Sequence, residues 1–149
     1  MATISGGDKL ESALKAIAEK LEGANGVRVG FLEGGRYEDG TSIAAVAFWN
    51  EYGTSRSPPR PFFRTAIDNQ SSEWASILGR AAKHYNYDSA QIMAAMGTKM
   101  AEDIQQSIVG WQEPANAEST VKKKGFNKPL IDTGTMQRAV DFEVINNGS

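Results

Sequence analysis

A chain of 149 residues suits one domain, large enough to bury roughly 70% of the surface its unfolded form exposes without covalent staples. It has no cysteine, which excludes disulfides and thiolate chemistry, and a net charge of −2 with a pI near 5.5 argues against a general polyanion binder. The N-terminal segment lacks the basic stretch and apolar core of a secretory signal, and no run approaches the ~20 apolar residues of a membrane span, so a soluble product of the cytoplasm is expected.

In chain order, Leu10, Ala13, Leu14, Ile17 and Leu21 recur at helical spacing, with Asp8 placed to cap and Gly23 to terminate. Val27, Val29 and Phe31 alternate with Arg28, Gly30 and Leu32, the two-residue period of a strand. Residues 33–40, with three glycines, Tyr37 and Asp39, make a polar loop. Thr41 or Ser42 then caps a helix through Ile43, Val46, Ala47 and Asn50 that Gly53 stops. Trp49 and Tyr52 fall on a different side of this helix from Ile43 and Ala47, so more than one of its faces must be covered. Residues 54–61, TSRSPPRP, lack continuous backbone donors and form a stiff elbow, with Phe62 and Phe63 pinning its end to the core.

Helical periodicity resumes from Phe63 through Ala66 and Ile67, with a kink or new cap expected at Ser71, and continues through Trp74, Ile77, Leu78, Ala81 and Ala82. Asp88 with Gln91 forms a capping box opening a long helix through Ile92, Met93, Met96, Met100, Ile104 and Ile108 to Gly110. Its methionine stripe reads first as adaptable core packing. Residues 111–128 are polar and include Lys122, Lys123 and Lys124: either a short helix with a solvated charged face, or an arm that orders on an acidic partner. Val140, Phe142 and Val144 alternate with acids in a last strand, able to pair with residues 27–32 or with another subunit. The expected fold is α+β, a small, mostly antiparallel sheet packed against several α-helices, with a Pro-rich elbow and an extended polar arm.

Candidate chemistry is sparse. Leu130-Ile131-Asp132-Thr133-Gly134-Thr135 has the form of an aspartic-protease signature, but that chemistry needs two carboxylates sharing a proton in a β-rich body. Only residues 135–149 follow the motif and the segments before it read as helical, so Asp132 or Thr133 is better read as the cap of a short helix through Met136, Arg138 and Ala139. His84 has no second His or Cys nearby from which to build a metal site or triad. Arg56, Arg60 and Arg64 with neighbouring aromatics raise single-stranded nucleic acid as an alternative partner. Glu51 and Asp68 flank the patch, however, and favour arginines paired with carboxylates of this chain or a neighbour. No cofactor or metal is called for.

Two stretches together carry a resemblance. Residues 43–54, IAAVAFWNEYGT, followed by Pro59-Arg60-Pro61-Phe62-Phe63-Arg64, resemble the apolar helix, acidic-aromatic-Gly and Arg-Pro-Phe signature of tail-completion and head–tail joining proteins of tailed bacteriophages. Thr120, Lys123, Gly125 and Lys128-Pro129-Leu130-Ile131-Asp132-Thr133-Gly134 resemble the second signature of that family, in the same order. The chain departs from it at Tyr52, Pro59, Met136 and Ala139, where Phe, Ala, Leu and Ser are usual. The resemblance implies a virion structural protein rather than an enzyme, made in the host cytoplasm and built into the tail or neck. It implies a homo-oligomeric, six-fold ring that meets the tail tube, tail terminator or neck and lets DNA pass without sequence-specific binding. Ring closure needs two different complementary surfaces per subunit. The expected assembly residues are Trp49, Glu51, Tyr52, Arg56, Pro59, Arg60, Pro61, Phe62 and Phe63 in a preorganised hook, and Lys122, Lys123 and Lys124 in an arm.

Overall fold

The computed structural model describes residues 6–112, 122, 130 and 134–146. Helix α1, Gly7–Leu21, starts from Gly6 in a left-handed conformation (φ 92°) with no side-chain cap. Asp8 therefore lies one position inside the first turn instead of capping it, where its charge still meets the positive end of the helix dipole. No residue of α1 is buried, and Leu10 and Leu14 are 62% and 57% exposed.

Strand β1, Ala24–Phe31, pairs antiparallel with β2, Val140–Asn146, from Ala24 opposite Asn146 to Phe31 opposite Val140, with a bulge between Ala24 and Gly26. The last strand thus pairs within the subunit. Helix α2, Ile43–Tyr52, is capped by Ser42, whose Oγ accepts from the Ala45 N–H at 3.3 Å, and ends at Gly53 (φ 78°). Helix α3, Phe62–His84, runs unbroken through Ser71 and Ser72. The expected interruption fails because both serines face solvent while Ala66, Trp74 and Ala81 form a buried stripe, and that burial outweighs the small propensity cost of two serines. Asn86 (φ 50°) closes α3 in a Schellman turn, with Tyr87 N–H donating to Ala82 O and Asn86 N–H to Lys83 O.

Helix α4, Ser89–Gly110, begins with the expected cap, Asp88 Oδ1 accepting from Gln91 N–H at 3.1 Å. It packs along one face of the β1–β2 ladder, and α3 packs against it. Val27, Val29 and Phe31 turn toward the helices, while Arg28 faces solvent and pairs with Glu143 at 2.6 Å. This is the period-two alternation of a sheet covered on one side. Met96 is buried, and Met93 and Met100 pack against its cluster, so the methionine stripe serves the core. A short helix α5, Thr135–Arg138, follows Gly134 (φ 76°), which occupies the cap position expected for Asp132 or Thr133, and buries Met136. Asp132, Thr133 and most of the polar arm lie outside the described residues. The fold is α+β.

Two apolar clusters thread through α4. One joins Ile43 and Ala47 of α2, Phe62 and Ala66 of α3, and Ala101, Ile104 and Ile108 of α4 to Leu130, Met136 and Val140. The other joins Trp74, Ala81, Ile92 and Met96. Asp103, 6% exposed, accepts from Trp74 Nε1 and Lys99 Nζ, both at 2.7 Å, so its buried charge is paired and hydrogen-bonded.

Candidate assembly surface

The corner between α2 and α3 follows from its local chemistry. Gly53 permits a left-handed exit from α2, and a Cβ there would lie 2.8 Å from the Pro59 nitrogen, so the chain doubles back against itself. Thr54 N–H donates to Ser57 O at 2.8 Å and Arg60 N–H to Asn50 O at 2.6 Å, fastening the elbow to the last turn of α2. Pro61, at the N-cap of α3, has no side-chain acceptor for the helix's free N–H groups. Glu51 supplies it from α2: its Oε2 accepts from Phe63 N–H at 2.9 Å and its Oε1 from Arg64 N–H at 3.1 Å. The same Oε1 accepts from Arg64 Nε at 2.7 Å, and Arg64 Nη2 donates to Glu51 O at 3.0 Å. The guanidinium of Arg64 lies 4.9 Å from the centre of the Tyr52 ring. One buried carboxylate therefore sets the angle between two helices.

Each expected assembly residue then finds its place. Trp49, Tyr52, Arg56 and Pro59 are exposed, and Arg60, Pro61 and Phe63 are half-buried. Burial pushes the Arg60 guanidinium below its usual pKa. Two of these residues are buried. Glu51 is 6% exposed and engaged with α3, and Phe62 is 1% exposed, its ring edge-on to Phe31 at a centroid distance of 6.1 Å. Both anchor the corner and form part of the floor of the groove beside it. Lys122 is exposed; Lys123 and Lys124 lie outside the described residues.

The expectation that α2 has a second face to cover sharpens here. Phe48, Trp49 and Tyr52 are 61%, 48% and 56% exposed, and Phe48 packs on Tyr52 with ring centroids 4.7 Å apart. Together with Val29, Gly30, Phe63 and Ile67, the Phe48 and Tyr52 rings line an open groove of about 480 Å³ between α2, β1 and the start of α3. Phe48 and Ile67 were not among the expected assembly residues. Phe48 carried a signal, since it stands four residues before Tyr52 and so shares its helical face, but Ile67 reads equally well as core. The titratable groups of the groove are Glu51, Arg64 and Tyr52, and the first two are bonded to each other. Such a lining suits contact with an apolar surface.

Elsewhere, His84 is exposed with its ring edge-on to Tyr85, and no group of three His, Cys, Asp or Glu among the described residues is placed to hold a metal ion. Among the described residues no helix is long and apolar enough to cross a membrane. Compared with known proteins, the chain matches no family model, no curated protein and no solved structure.

Proposed function

We propose that this chain is a structural assembly subunit, working through contacts with copies of itself and with a larger particle rather than through catalysis. More particularly, it is a tail-completion or head–tail joining protein of a tailed bacteriophage. In that role it forms or joins a ring, of six subunits by the symmetry of a tail tube, at the head-proximal end of the tail or in the neck. The ring meets the tube, the terminator or the connector, and genomic DNA passes through it unread.

The observation that carries this reading is the exposed aromatic face of α2, mounted on a corner that Glu51 makes rigid. Large apolar side chains clustered on a preorganised surface mark protein interfaces, because burying them there costs little ordering entropy. That corner coincides with the first of the two stretches on which the phage resemblance rests.

Light scattering and negative-stain imaging of the purified protein, alone and with phage tail tubes, test the proposal. A ring, or a subunit that collects as a cap on tube ends, is expected. A particle that stays monomeric or simply dimeric and ignores tube ends overturns it. Steep salt-dependent DNA binding, or acid-dependent peptide cleavage abolished by Asp132→Asn, would replace it with a different class.

A further inference from the structure

Helix α1 is amphipathic, yet none of its residues is buried, and of its apolar stripe only Ile17 is half-buried. Leu10, Leu14 and Leu21 are 62%, 57% and 45% exposed, and no α1 residue lines the groove beside α2. The chain thus carries two uncovered apolar surfaces of opposite shape, one convex and one concave. Their lengths agree. The stripe from Leu10 to Leu21 spans about 16 Å and the α2 wall from Ala44 to Tyr52 about 12 Å, at 1.5 Å per residue.

Charge gives the pairing a direction. At helical spacing Glu11 and Glu22 border one side of the stripe and Lys9 and Lys20 the other. The groove wall formed by the start of α3 carries Arg64, whose side chain is 52% exposed, and exposed Arg56 stands in the adjoining elbow. An amphipathic helix laid in an apolar groove, with its acidic side along the wall that carries Arg64 and its basic side away from it, is the helix-in-groove mode of recognition.

We infer that α1 of one subunit docks in the α2–β1–α3 groove of the next copy. The inference deepens the assembly reading and rests on it. Because the two surfaces differ, the contact is head-to-tail, and repeated around an axis it closes a ring. Each subunit gives one helix and receives one.

The absence of native cysteine permits a direct test. Leu14→Cys and Ile67→Cys combined in one chain should, on mild oxidation in solution and on tube ends, give a ladder of covalently joined subunits, while either change alone leaves monomers on a denaturing gel. Independently, Leu14→Glu and Ile67→Glu should each weaken self-association at least 30-fold, the factor corresponding to about 2 kcal/mol for an interface anchor. Both sites are exposed, so circular dichroism and the unfolding midpoint should match the unaltered protein. Mixing the two variants should give a one-to-one dimer, since only one intact helix and one intact groove remain between them. Wild-type assembly on tubes or in solution that yields no ladder and survives both Glu variants overturns helix docking and leaves the assembly function standing. Joining of Leu14→Cys chains to one another would show symmetric α1 pairing instead and also overturns it. A wild-type chain that neither self-associates nor caps tubes sinks the inference and the function together.

Discussion

Gly97 shows how one position governs the layer contact between α4 and the sheet. It is buried in mid-helix, and a Cβ there would collide with the Phe142 ring of β2. Gly97→Ala should therefore destabilise the fold by about 1–3 kcal/mol through overpacking, even though alanine is the better helix former, and urea denaturation would register the sign. An unchanged or raised midpoint would mean that Phe142 has room to swing away. Asp103 is the second such position. Asp103→Ala strips Trp74 Nε1 and Lys99 Nζ of their acceptor, and the unpaired buried indole N–H should cost about 1–3 kcal/mol in the same assay. A mid-helix Gly and a mid-helix Asp both look like faults in a one-dimensional reading, because the partners that justify them stand 45 and 29 residues away along the chain.

At the scale of elements, the helix starts divide into those that cap themselves and those capped from a distance. Ser42 and Asp88 obey the local rule, Asp88 legible outright and Ser42 as one of two candidates with Thr41. The direct bond from Gln91 N–H, and its side-chain counterpart, hold the Asp88 carboxyl below the usual carboxylate range. Since the folded pKa lies under the unfolded one, this stabilisation is present above about pH 4 and is lost as pH falls through the lower folded value. Asp88→Asn should accordingly remove part of the acid dependence of the unfolding midpoint between pH 5 and the folded value. Identical acid profiles for the two proteins would contradict the cap's role. Helix α3 has no such local device, and its capping by Glu51 requires that α2 already be folded. Glu51→Ala should cost about 2 kcal/mol, combining a lost cap with lost charge-assisted bonds, and should loosen the α2–α3 corner. Chemical denaturation measures the first effect. Faster amide exchange at Phe63 and Arg64 would measure the second.

For the molecule as a whole, stability and assembly draw on different residues. Phe62 belongs to the cluster that ties α2, α3, α4 and β2 together, so Phe62→Ala should cost about 3–5 kcal/mol and impair assembly only by weakening the fold. Leu10→Ser and Leu14→Ser, on a helix with no buried residue, should each shift folding stability by less than about 0.5 kcal/mol. A large loss of monomer stability in either serine variant would place α1 inside the subunit core and remove its availability to a partner. The contrast follows from where apolar area is covered: almost entirely inside the subunit at position 62, and less than half at positions 10 and 14.

Element identity, the αβ succession and the caps at Asp88 and at Thr41 or Ser42 were determined by the sequence, because each rests on contacts within a few residues or on a simple period, whereas the pairing of the last strand with β1 was left open between this chain and another subunit. The same local reasoning foresaw that α2 had two faces to cover and that arginines of the patch Arg56, Arg60 and Arg64 would pair with carboxylates of this chain or a neighbour, as Arg64 does. Only the tertiary structure decided which carboxylate and for what purpose. Phe62 was expected to pin the elbow to the core and does so, whereas Glu51 read as one of the acids flanking a basic patch and became the interior of a corner, since its burial depends on where α3 arrives and not on neighbours in the chain. It also decided that Leu10, Leu14 and Leu21 of α1 and the aromatics of α2 are exposed. An amphipathic pattern states that a face seeks cover, and the three-dimensional arrangement states whether the chain itself provides it.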